Sequence, residues 1–157
     1  MTEAPVVRHD VVVRGTPAQA FAAFTERMGE IKPKEHNLLS SPIVSTTFEP
    51  RVGGYIVDRA EDGSECRWAR VLIFEPPHRV VFSWDIGPTW QLEADPRNAS
   101  EVEVRFVPEG PDRTRVELEH RHLDRHGPGW PAVRDGVAAE QGWPLYLARY
   151  AGLLEAA

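Results

Sequence analysis

From Ile43 to His120 the apolar residues recur mostly with the period of a strand, and after Pro131 the period lengthens to that of a helix. That one change constrains the fold more than any other feature. Val102, Val104 and Phe106 alternate with Glu101, Glu103 and Arg105. After a Glu109-Gly110-Pro111-Asp112 turn, Val116, Leu118 and His120 alternate with Arg115, Glu117 and Glu119. Such a hairpin has one wet face and one covered face. Further strands are predicted over Ile43 to Glu49, Gly54 to Asp58, Cys66 to Glu75 and Arg79 to Trp84. Gly53-Gly54, Asp62-Gly63 and Pro76-Pro77 punctuate them, because glycine supplies unusual φ values and proline cannot donate to a ladder.

The β-branched run from Pro5 to Arg14 predicts a first strand. Thr16 as a cap, Pro17 in the first turn and Phe21 with Phe24 predict a helix from Thr16 to about Met28. Val133, Val137, Trp143, Leu147, Tyr150 and Leu154 predict a long terminal helix, with a kink or restart where Gly142 and Pro144 interrupt it. The expected fold class is α+β, a curved antiparallel sheet of about six to seven strands with short helices after the first. A sheet with one apolar face needs a cover, and the terminal helix is the only predicted element long enough to supply it.

At 157 residues this is expected to be one domain spanning 1–157. Its 18 Lys and Arg against 24 Asp and Glu give a net charge of −6, which argues against nucleic acid or an anionic membrane as partner. Cys66 stands alone, so no internal disulfide and no paired-cysteine metal or redox site is expected. The opening residues have no signal-peptide pattern and no apolar run reaches membrane-span length, so the expectation is a soluble cytoplasmic protein. Neither a GxSxG elbow, a phosphate loop nor a dinucleotide glycine fingerprint is present, and no cofactor is expected.

Four segments together carry a family likeness. They are Phe48-Glu49-Pro50-Arg51-Val52-Gly53-Gly54, Pro76-Pro77 followed by Arg79-Val80-Val81-Phe82-Ser83-Trp84, Thr114 to His120, and Gly142-Trp143 with Leu147 and Leu153. From about Asp10 to Leu154 the chain resembles stand-alone bacterial proteins similar to the C-terminal domain of the activator of the ninety-kilodalton heat-shock chaperone's ATPase. These form a branch of the START-like, helix-grip (SRPBCC) superfamily. The resemblance implies a sheet gripping the terminal helix. Two departures stand out. Asp85 to Ser100 is longer and more irregular than the family's usual connection, and is expected to cover a cavity mouth, and Pro144 follows the Gly-Trp pair directly.

The resemblance also implies a ligand cavity between sheet and helix. Alternation would line it with Trp68, Phe82, Trp84, Val104, Phe106, Leu118, His120 and His122, joined by Trp143 and Leu147 from the helix. The same side chains would serve equally as an ordinary close-packed core. His120 and His122, two apart on a strand, are expected to share a face and are the acid–base candidates, though the preferred reading places both at a strand end near the Asp124 to Gly129 loop, hydrogen-bonded or wet. A metal would need a third ligand such as Asp124 or His126, and none is expected. Arg70 falls on the otherwise apolar face of Cys66 and Trp68, where it would hold a ligand anion or, as the preferred reading, pair with Asp58. Cys66 reads as a small apolar residue rather than an activated thiolate.

Three functions follow as expectations. The first is binding of a small hydrophobic or aromatic molecule. The second is a cyclase- or hydrolase-like enzyme using His120 or His122 with Arg70 as anion anchor. The third is a chaperone-ATPase-interacting module, for which the sequence supplies no evidence beyond the resemblance. A homodimer is compatible with all three.

Overall fold

The computed structural model describes residues 5–155. Its strands are β1 (Val7–Arg14), β2 (Ile43–Phe48), β3 (Tyr55–Ala60), β4 (Glu65–Glu75), β5 (Arg79–Trp84), β6 (Ser100–Gly110) and β7 (Arg113–Arg121). They form one curled antiparallel sheet in the order β1-β7-β6-β5-β4-β3-β2. Strands β2 to β7 make a meander, and β1 closes it by pairing with β7, Val11 opposite Val116. The first two strands in sequence therefore stand at opposite edges. Helices α1 (Pro17–Glu26) and α2 (Met28–Ile31) bridge them.

Helix α1 begins where the sequence places it. Thr16 accepts from the Gln19 backbone N–H at 3.2 Å while the Gln19 side chain accepts from the Thr16 N–H at 2.9 Å, a reciprocal cap that satisfies two donors of the first turn. Its Phe21 and Phe24 are buried and meet Phe106 of β6 edge-on at 5.1 and 6.0 Å between ring centroids. Each such buried side chain contributes about 1.5–3 kcal/mol of hydrophobic stabilisation.

The late apolar periodicity resolves into two helices, α3 (Trp130–Ala138) and α4 (Trp143–Glu155), so the restart option is the one realised. Gly142 permits the junction: a Cβ there would stand 2.2 Å from the Val137 carbonyl oxygen. Pro144 falls in the first turn of α4, where its missing N–H costs nothing. Helix α4 packs against β1, α1 and α2. Its Tyr150 hydroxyl donates to the Ala20 carbonyl at 2.5 Å, tying cover to bridge.

Two irregularities correct the expected faces of the sheet. In β4 the register shifts on either side of Ala69 to Val71, once at Trp68 and once at Leu72. Each bulge moves the following residues to the other face. Trp68 and its neighbour Ala69 are consequently both buried, as is Val71, and Arg70 leaves the apolar face. At the end of β7, His122 turns into the left-handed region at φ 59°, and it is exposed while His120 is fully buried. The two imidazoles do not share a face, because the strand stops at Arg121.

Candidate functional site

A cavity of about 490 Å³ opens where β3, β4 and β5 meet the chain after α2, the Asp85–Ser100 connection and the α3–α4 junction. Four of the five tryptophans line it: Trp68, Trp84, Trp90 and Trp143. Trp68 reaches it from the β4 bulge and Trp84 from the end of β5. Trp143 arrives from the first turn of α4. The rings meet edge to face, Trp68 to Trp84 at 5.5 Å, Trp84 to Trp143 at 5.4 Å and Trp143 to Tyr146 at 5.3 Å between centroids. That geometry suits the ring quadrupoles.

The fourth indole sits on the connection expected to cover the mouth. Trp90 is 45% exposed and adopts φ 58°, a left-handed backbone that is costly for a bulky residue. Its ring covers Gly136 of α3 so closely that a Cβ there would fall 2.5 Å from the ring edge. Glycine at 136 is thus what lets Trp90 lie down on the helix.

One end of the cavity is polar. Lys32 and Asp58 form an ion pair at 3.0 Å, with side chains only 4% and 3% exposed. Asp58 also accepts from the Thr46 hydroxyl at 2.7 Å and the Trp68 indole N–H at 3.3 Å. Lys32 donates in addition to the His36 carbonyl and stands 5.8 Å from the centroid of the Trp68 ring. A buried pair needs such supporting bonds to offset its desolvation. Beside it, His36 Nδ1 and the Tyr146 hydroxyl share a hydrogen bond of 2.9 Å, and both residues line the cavity. Burial, then the Lys32 charge, lowers the His36 pKa, so the ring is neutral near pH 7. Burial, helped by Asp58, raises that of the Tyr146 phenol. Cys66 also lines the cavity; burial, then Asp58, pushes its thiol up to about 11, so it stays protonated.

The residues expected from the sequence divide. Trp68, Trp84 and Trp143 line the cavity. Phe82 and Leu147 lie behind this wall in a closely packed layer with Phe24, Met28 and Ile31. Val104, Phe106 and Leu118 are buried in the core beyond it. Arg70 does not pair with Asp58; it makes a two-pronged contact with Asp85 at 3.3 and 3.4 Å, because the bulge at Trp68 has turned it outward. Lys32 takes the place beside Asp58. His122 is exposed.

His120 lies behind Trp143 as the centre of a buried polar chain. Its Nδ1 accepts from the Trp143 indole N–H at 3.1 Å, which leaves the proton on Nε2. That proton faces Ser100 Oγ at 2.7 Å, and the hydroxyl lies at 2.7 Å from His126 Nε2. The donors then run from Trp143 through His120 and Ser100 to His126. Burial lowers the His120 pKa to about 3, and burial also lowers that of His126. His120 is a satisfied core histidine rather than a cavity base. Among the described residues no group of three or more His, Cys, Asp or Glu is arranged to hold a metal ion, and no helix is long and apolar enough to cross a membrane.

Solved structures share this architecture. The chain is similar to anthrahydroquino-gamma-pyrone synthase Txn09, complexed with SUM, at 39% identity over 96% of this chain and 97% of that one, with a TM-score of 0.67. It is similar to CalC, a self-sacrificing resistance protein from Micromonospora echinospora, at 28% identity over 97% and 95%, TM-score 0.68. Ms6760 from Mycobacterium smegmatis, 15% identical over 98% and 93% with a TM-score of 0.67, shares the fold. No protein of curated function matches the chain. The model of the family described as "Activator of Hsp90 ATPase homolog 1-like protein" matches residues 14–155, which hold β2 to β7 and both late helices, and the chain belongs to that family.

Proposed function

We propose that the protein binds a planar aromatic molecule between its four cavity indoles. The observation that carries this reading is the cavity itself: about 490 Å³, aromatic on its walls and polar at one end. That volume falls within the usual range of roughly 300–1,000 Å³ for small-molecule sites, and a few convergent polar groups in an apolar pocket are what orient a ligand. The 39% identity to a synthase named for a fused aromatic gamma-pyrone supports the same ligand class. The test is titration with xanthone, a planar tricyclic gamma-pyrone, followed by tryptophan fluorescence and thermal shift. Binding to the native state raises its apparent stability. Quenching with a raised melting temperature is expected, and absence of both at the solubility limit would overturn the reading.

A second reading is acid–base catalysis of ring closure, and the His36–Tyr146 pair favours it. A neutral imidazole hydrogen-bonded to a phenol on the cavity wall is the form a general base requires. The probe is 1-(2-hydroxyphenyl)-1,3-butanedione, which closes to 2-methylchromone with loss of one water. Acceleration that disappears in Tyr146→Phe and His36→Gln is expected. A rate equal to the buffer background would remove this reading and leave binding intact.

A further inference from the structure

The ion pair at the polar end restricts which aromatic molecules fit. An ammonium group has three N–H donors. Lys32 directs one at Asp58 Oδ2 and one at the His36 carbonyl, and among the described residues no other acceptor is paired with it. Lys32 is nevertheless 5% exposed and on the cavity wall. The third donor is left without a protein acceptor among the described residues, with the ammonium 5.8 Å from the Trp68 ring centroid, and an unanswered N–H in such surroundings is costly. A guest that brings an acceptor atom to it makes a charge-assisted hydrogen bond.

Asp58 determines what kind of acceptor this is. Its charge is already opposed by Lys32, with Thr46 and Trp68 donating to its other oxygen. The pair as a whole is neutral. A guest carboxylate or phenolate placed on Lys32 would add a second negative charge beside a buried one, and nothing else on the cavity wall would neutralise it. Arg70, the cation expected at this site, is committed to Asp85 and does not line the cavity.

We propose that Lys32 reads an uncharged carbonyl oxygen, so that the ligand class is neutral planar aryl ketones and pyrones, with Asp58 excluding their anionic counterparts. This selectivity rests on the binding reading above. It makes Lys32 and Asp58 specificity-determining residues: the lysine rewards the carbonyl and the aspartate penalises a charge in the same place.

Three molecules built on one tricyclic skeleton test it: xanthone, xanthene, in which CH₂ replaces the carbonyl, and xanthone-2-carboxylate. Wild-type protein is expected to bind xanthone at least about tenfold more tightly than xanthene, the scale of a hydrogen bond to a charged donor, and to bind the carboxylate more weakly than xanthone. The double variant Lys32→Met/Asp58→Asn, which leaves no lone buried charge, is expected to bind xanthone and xanthene alike, with its melting temperature recorded to show that it folds. If it does not fold, the ratios on wild-type protein decide alone. Equal binding of xanthone and xanthene by wild type, or tightest binding of the carboxylate, overturns the carbonyl proposal while leaving aromatic binding standing. Failure of all three to bind removes the binding reading itself.

Discussion

Trp143 donates its indole N–H to His120 Nδ1 at 3.1 Å, so a residue that lines the cavity on one side sets the tautomer of a fully buried histidine on the other. The wall of the cavity is therefore registered on the sheet by a directional bond as well as by packing. Removing the donor leaves Nδ1 buried without a partner, which costs about 1–3 kcal/mol. Trp143→Phe is expected to lower unfolding free energy by at least that amount in urea titrations. A change under about 0.5 kcal/mol would show that packing alone holds the wall.

The buried histidines give stability a pH dependence whose sign is fixed. The folded pKa of His120 is about 3, below its ordinary 6.5, and those of His126 and His36 are lowered in the same direction. Above about 6.5 both folded and unfolded chains carry these rings neutral. As pH falls below that, the unfolded chain takes up protons the folded chain refuses, so stability falls, for His120 until about pH 3. Glu103, which donors from Arg79, Arg105 and Arg121 hold at about 2 against its own burial cost, adds a loss in the same direction below about 4.5. Urea midpoints are expected to be level from pH 8 to 7 and to drop steadily from 6.5 to 4. A midpoint that rises on acidification would contradict this assignment of protonation states.

Gly136→Ala places a methyl group where the Trp90 ring now lies. Alanine is favoured over glycine within a helix by up to about 1 kcal/mol, so α3 itself does not suffer. The expected outcome is an unchanged or slightly raised melting temperature together with a red-shifted, more acrylamide-accessible Trp90. Ligand dissociation should quicken. An unshifted emission spectrum would mean that Trp90 does not rest on α3 in solution.

Tyr146→Phe separates binding from chemistry. The ring and its edge contact with Trp143 remain while the hydroxyl bonded to His36 is lost. Xanthone affinity should change less than about threefold, the effect of one partly exposed hydrogen bond. Any ring-closing activity should fall by about a hundredfold or more, the usual weight of a positioned acid–base group. Parallel loss of both would tie Tyr146 to ligand contact instead.

Lys32 and Asp58 should couple strongly in stability. Lys32→Met alone strands a buried carboxylate and is expected to cost about 3–5 kcal/mol, whereas Lys32→Met/Asp58→Asn should recover a good part of it. Chemical denaturation of the two single variants and the double supplies the cycle. Additive losses would mean that the charges do not depend on each other.

The architecture was legible because period-two and helical patterns report which face is covered, and the Thr16 cap, the hairpin turns and the interrupted late helix follow from residue chemistry alone. The polar end of the cavity was not. Lys32 and His36 sit among charged residues around Pro33, where no periodic pattern assigns them to a covered face, and His36 finds Tyr146 across 110 positions of sequence. Arg70 and His122 were misplaced for a different reason: alternation assumes an unbroken strand, and the bulges at Trp68 and Leu72 and the left-handed turn at His122 each reset the parity. The expected partner of Asp58 changes with this: Arg70 turns away to Asp85, and Lys32, which no sequence pattern singles out, pairs with Asp58 instead.

Closure of the sheet by β1 also sets a timetable. Val11, Val12 and Val13 are translated about a hundred residues before the strand that hydrogen-bonds to them, Arg113–Arg121. At 5–20 residues per second that interval is roughly 5–20 s. A valine-rich ribbon stays without its mate throughout, so nascent-chain aggregation should begin there and be relieved by circular permutants that carry β1 behind β7.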